Sequence, residues 1–184
     1  MIWDMKLKII KDSNPIMRKR SLEVPLPLSD EDKTLLDEML NYLKLSQDDE
    51  YARKHAIRAG VGLAAVQVGV LKRMFVVYIK NENEEIAYQL VNPKIVESSV
   101  RLCALSGGEG CLSVDKEHQG LSHRAYKIRM QAFNALTNQN IEIEARGFLS
   151  IVLQHEYDHL NGMFFYDRID KVDPNKQKPQ ELLI

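Results

Sequence analysis

Cysteine is scarce: Cys103 and Cys111 are the two thiols in 184 residues. Two thiols make no disulfide framework, and a reducing compartment keeps them free, so each needs its own explanation. Long apolar runs are missing too, and no segment approaches the roughly 20 residues of a membrane-spanning helix. Charge of one sign is not in excess. The balance is 25 basic against 26 acidic residues, net -1, and the longest basic run, Arg18-Lys19-Arg20, is short. That excludes the electrostatic footprint of a nucleic-acid binder. The start, MIWDMKLKIIKD, has no uninterrupted apolar core with a small-residue cleavage site, and it is no Arg- and Ser-rich transit peptide. The cytoplasm is therefore the expected compartment. Internal repeats and low-complexity segments are also absent.

What remains is a soluble globular composition, 45% apolar and 28% charged. The length suits one domain over 1–184, with a polar tail from about 171. Ser29 with Asp32 three residues on reads as a capping box. Leu35, Leu36, Met39, Leu40 and Leu43 then recur at helical spacing, which predicts an amphipathic helix over roughly 30–45. The charged stretch QDDEYARKHAIRAG is either more helix or a surface excursion. MFVVYI and IAYQLV read as two strands joined by a turn, and Asn92-Pro93 is expected to start a separate strand-like segment, KIVESSV. Ile128, Met130 and Ala132 alternate with polar residues, as do Ile141, Ile143 and Ala145, which predicts a hairpin. From Gly147 the periodicity is helical again, with Phe148, Val152, His155 and His159 on one face and Gly162 at the end. The expected class is α+β: antiparallel sheets around a late helix, with an early amphipathic helix. The prolines of DPNKQKPQ argue against a further long helix.

That late helix carries HEYDH. His155 and His159, four apart, place two imidazoles one turn apart on one face, where they can share a metal, with Glu156 as general base. A third ligand is needed. Cys111, within the glycine-rich GGEGCLSVD, is the most suitable unassigned side chain; His55, His118 and His123 compete from charged, loop-like settings. Cys103 needs no role beyond a small residue in an irregular stretch. The segment GVGLAAVQ lacks both the GxGxxG spacing and the Gly-Lys step of a phosphate loop. It reads better as exposed backbone N–H groups followed by Gln67, whose amide can donate to an oxyanion.

GVGLAAVQ, EGCLS and QHEYDHL, in this order, resemble the three signature motifs of the peptide deformylases, along about a hundred residues. The charged excursion before Gly60 and the loop VDKEHQG resemble insertions of the bacterial type 2 members. Val66 stands where the family usually has Pro, which restores an N–H without removing a ligand or catalytic group. The resemblance implies a divalent metal on Cys111, His155 and His159, iron(II) in the cell, with zinc, nickel or cobalt as substitutes after isolation. It implies Glu156 as general base, and Gln67 with the Leu112 N–H as oxyanion donors. Ile151 and Val152 are candidates for the methionine pocket; Val61, Gly62 and Gly110 are candidates for main-chain contacts with the substrate. Glu109, Asp158 and Arg124 are candidates for a network that orients the ligand loop. The implied partners are N-formylmethionyl nascent peptides and, transiently, the ribosome; a monomer without membrane or nucleic-acid contacts is expected. Two other readings are a zinc endopeptidase on the same helix and an inactive peptide-binding relative.

Overall fold

The computed structural model describes residues 7–184. Helix α1, Asp30–Ser46, begins where the capping signal places it: Ser29 Oγ accepts from the Asp32 N–H at 3.2 Å. Only half of the capping box forms, because the Asp32 carboxylate turns to Lys72 instead. Leu36, Met39 and Leu43 are fully buried, each contributing about 1.5–3 kcal/mol. The charged stretch that follows is helix α2, Asp49–His55, and it buries none of its residues.

Next come β1, Gly62–Ala64, β2, Met74–Lys80, and β3, Glu85–Ser98. After them stand β4, Leu102–Ala104, β5, Arg124–Ala125, β6, Lys127–Asn134, and β7, Gln139–Arg146. Helix α3, Gly147–His159, and β8, Leu182–Leu183, complete the chain. The five-stranded sheet runs β1-β2-β3-β6-β7, every neighbour antiparallel. The expected hairpin pairs Met130 with Ile143 and Ile128 with Ala145.

Strand β2 shows why MFVVY lacks alternation. Met74, Val76 and Tyr78 pack on the α1 side, while Phe75 and Val77 pack among residues that include Val152 and Leu153 of α3. A strand buried on both faces needs no polar positions. β6 has one open face and alternates accordingly.

Several expectations are corrected. Asn92-Pro93 does not start a new strand: β3 runs through it, absorbing the missing proline donor in a register shift between Val91 and Lys94. Asn92 takes φ +50, a conformation Asn tolerates, and its amide bonds both the N–H and the carbonyl of Val24. Cys103 lies in strand β4, buried, and burial pushes its thiol up to about 11. Phe148 is 39% exposed, so it does not share the buried face of α3. Gly162, at φ +72, follows the helix end at His159. The tail past 171 is polar and non-helical at first, but its last residues form β8. They pair parallel with β4 in a second sheet, β5-β4-β8.

Among the described residues, no helix is long and apolar enough to cross a membrane.

Candidate active site

Side chains stitch α3 to β5. The Ala125 N–H donates to Gln154 Oε1 at 3.0 Å, and the Ala125 carbonyl accepts from Ser150 Oγ and Gln154 Nε2, each at 2.8 Å. This brings Arg124 of β5, with 0% of its side chain exposed, against the turn of the helix that carries His155 and Asp158. Its guanidinium holds Glu109 through two bonds, 2.5 and 2.9 Å, and Asp158 through one at 2.9 Å. Arg168 closes on Asp158 from the far side at 2.6 and 2.7 Å. Glu109 also accepts from His155 Nδ1 at 2.7 Å, which fixes the ring and leaves Nε2 to ligate. Burial alone would raise the Glu109 carboxyl, but His155 and Arg124 pull it to about 2. The expected network is thus present, and Asp158 is a buried anchor.

The donor atoms of Cys111, His155 and His159 all lie within 4.8 Å of one another. Cys111 Sγ is 3.3 Å from His159 Nε2. Among the described residues no other group converges in this way. His55 is exposed and stacks on Tyr51, His118 stacks on Tyr166, and His123 bonds Glu181 at 2.7 Å.

Residues and site electrostatics fit a cation. The buried Glu156 Oε2 has no partner among the described residues, and His159 turns Nε2 toward the Cys111 sulfur. Burial, with His155 nearby, drives His159 well below the ordinary imidazole range, which favours the neutral ligand form. Burial opposes a charge on His155, yet the neighbouring Cys111 and the hydrogen bond to Glu109 raise it well above that range. Surroundings that stabilise a positive charge there also suit a metal ion. Burial, partly offset by the positive field of His155 and Arg124, pushes Glu156 up to about 7.

Above this cluster lies a cleft of about 340 Å³. Val61, Gly62, Gln67, Gly110, Cys111, Leu112, Ile151, Val152, His155 and Glu156 line it, and His159 lies beneath its floor, fully buried. The Gln67 amide is oriented at both ends. Its Oε1 accepts from the Ala64 N–H at 2.8 Å, and its Nε2 donates to Ser113 Oγ at 3.1 Å and faces Cys111 Sγ at 3.5 Å. Val66 is fully buried beside it.

Arg58, Glu109 and Gly60 also line the cleft. Of these Arg58 carried no sequence signal, nor did Arg168 behind Asp158. Ser113 could have been found as the last residue of EGCLS.

Gly62 leaves room for Glu156. A Cβ there would lie 2.7 Å from Glu156 Cδ and 2.8 Å from its Cγ. Gly62→Ala must therefore push the carboxyl aside. A displacement near 1 Å costs about a hundredfold in rate, whereas moving the end of one side chain costs about 1–3 kcal/mol of stability. Turnover in this variant should thus fall about a hundredfold, with folding retained at a cost of about 1–3 kcal/mol. Activity within threefold of wild type, on the order of 0.7 kcal/mol, would contradict this.

A site able to take a cation on sulfur and imidazole, with a proton-exchanging carboxyl and room for a peptide, is equipment for metal-dependent hydrolysis. Comparison with known proteins narrows that class. The family model described as polypeptide deformylase matches residues 6–175, and the chain belongs to the peptide deformylases. It is 45% identical over 178 residues to the peptide deformylase of Macrococcus caseolyticus, covering 96% of each chain. It is 47% identical over 167 residues to peptide deformylase 2 of Geobacillus stearothermophilus, covering 90% of each. Among solved structures, the Met-Ala-Ser-bound class I type b peptide deformylase of Acinetobacter baumannii superposes with TM-score 0.70 at 32% identity. That match covers 89% of this chain and 98% of the other. The peptide deformylase of Ehrlichia chaffeensis gives 0.72 at 32% identity, covering 90% and 89%. The α+β arrangement of antiparallel sheets and helices is the one these proteins share. The chain is accordingly a metal-dependent hydrolase that removes the formyl group from the N-terminal formylmethionine of new proteins.

Proposed function

We propose that Cys111, His155 and His159 hold the metal and that Glu156 works beside it on the formyl group. The convergence of three donor atoms within 4.8 Å, under a cleft with a buried carboxyl, carries this reading. When bound, a divalent cation supplies Lewis acidity and lowers the pKa of coordinated water. A thiolate with two imidazoles suits iron(II), zinc, cobalt or nickel, and iron(II) is proposed for the cell.

Glu156 takes a proton from the attacking water and delivers it to the leaving amine. Water adds to the formyl carbon, the C–N bond breaks, and formate and a free amino terminus result. Gln67 Nε2 and the Leu112 N–H donate to the developing oxyanion. Ile151 and Val152 receive the methionine side chain, while the backbone at Val61, Gly62 and Gly110 meets the extended peptide. The Acinetobacter baumannii protein bound to Met-Ala-Ser supports this choice of substrate, since that tripeptide is the product expected from its formylated form. Helix α2, which forms the charged excursion before Gly60, supports the type 2 assignment that the sequence resemblance implies. A nascent substrate favours action in the cytoplasm with transient contact at the ribosome, and a monomer is proposed.

The test is formate release from formyl-Met-Ala-Ser by protein purified without oxygen. Release at the formyl bond, with unformylated peptides left whole, is the expected result. Cleavage of internal peptide bonds with the formyl group intact would favour the endopeptidase reading.

A further inference from the structure

Arg58 stands at the mouth of the cleft, on the chain entering β1. That chain is anchored at Gly60, whose N–H donates to Ser46 Oγ at 3.1 Å and whose carbonyl accepts from Gln47 Nε2 at 2.8 Å. From this fixed base the guanidinium crosses to the opposite wall. Nη2 donates its two hydrogens to the carbonyls of Cys111 and Leu112 at 3.1 and 2.9 Å, and Nη1 donates to Val114 O at 3.1 Å, an oxygen that also lies 3.1 Å from Nη2. Asp115 Oδ1 lies 3.3 Å from Nη2.

The contact with the Cys111 carbonyl has a specific consequence. That carbonyl belongs to the same peptide unit as the Leu112 N–H. The unit is planar and trans, so its C=O and N–H point in opposite directions. A donor held on the oxygen therefore fixes where the N–H points. The Val114 N–H donates to the same oxygen at 3.1 Å, so both its lone pairs are engaged. A permanent cation on the carbonyl also polarises the amide, and hydrogen-bond chains strengthen each member by about 10–30% per bond.

We propose that Arg58 is the positioning residue for the Leu112 N–H, orienting and strengthening it as an oxyanion donor through the Cys111 carbonyl. This rests on the reading of Leu112 given above. Lys11 provides an internal contrast. It is also a cation on this loop, bonding Leu112 O at 3.3 Å and Asp115 at 2.7 Å, but it touches the next peptide unit.

The experiment measures kcat and KM for formyl-Met-Ala-Ser with wild type, Arg58→Ala, Arg58→Lys and Lys11→Ala, alongside metal content and thermal unfolding. Complete loss of an oxyanion donor costs about a hundred- to a thousandfold. A donor left in place but loosened should cost about tenfold in kcat, so Arg58→Ala is expected there, with KM within about twofold of wild type. Arg58→Lys should recover part of the loss, since it restores the charge without the fork. Lys11→Ala should stay within about twofold throughout.

Unchanged kcat in Arg58→Ala overturns the proposal. So does a rise in KM at constant kcat, which would make Arg58 a substrate contact. Equal losses in Arg58→Ala and Lys11→Ala would reduce both residues to general bracing of the loop and overturn it as well. Wild type releasing no formate would take down the functional reading and this proposal together; formate from wild type with a normal Arg58→Ala takes down the proposal alone.

Discussion

Glu156→Gln is expected to reduce formate release by about a hundred- to ten-thousandfold, the range of a lost general acid–base group. The fold and the metal content should be unaffected. The side chain is 3% exposed, so amide for carboxyl is an exchange inside a defined space. Its Oε2 has no partner among the described residues, so the new amide N–H₂ breaks no bond at that atom. Stability should respond in the opposite direction from activity. Burial holds the wild-type carboxyl at about 7, above its unfolded value near 4.3. Between those values the folded protein binds the extra proton, so stability falls as pH rises through the window. In metal-stripped protein the Gln variant lacks that fall and should be at least as stable as wild type above neutrality. Single-turnover formate release, elemental analysis and urea unfolding at two pH values measure these three outcomes. Retention of a tenth of wild-type turnover would remove Glu156 from the centre of the mechanism.

Cys111→Ala is expected to lose the metal and with it the activity. Four-ligand zinc sites bind with roughly 10–16 kcal/mol, so one ligand's share is about 3 kcal/mol and its loss costs roughly a hundredfold in affinity. The actual loss should exceed this share, because the thiolate brings the negative charge of the donor set while His159 is held neutral. This outcome separates the proposed site from an endopeptidase on the same helix, which needs no Cys111. A Cys111→Ala protein that binds one metal and deformylates normally would refute the ligand set. The contrast with Glu156→Gln is itself diagnostic: one variant keeps the ion and stops, the other loses the ion.

Local signals were the legible part of this sequence. Ser29 caps α1 because a hydroxyl three residues from an orphan N–H needs only its neighbours. The α3 pattern and the β6–β7 hairpin follow from periodicity, which reports the buried face directly. The residues of the three motifs did meet in one cleft. The contacts that hold them there were not legible. Arg58 and Cys111 are 53 positions apart, and His123 and Glu181 are 58 apart. An arginine reaching three carbonyls leaves no composition or spacing behind, since any backbone offers carbonyls. Strand β8 was missed because two residues beyond a polar, proline-containing stretch carry no alternation. Asn92-Pro93 misled for the opposite reason. It is a strong local breaker signal that pairing on both sides of the kink overrode.

Arg124 joins the cysteine loop, through Glu109, to the helix turn of the two histidines, through Asp158. The three donors are thereby kept in register by a buried protein cation that never leaves. In small zinc domains the ion organises the chain, and removing it unfolds them. In this chain the buried Arg124 would hold the proposed donors together without an ion, so metal-stripped protein is expected to stay folded.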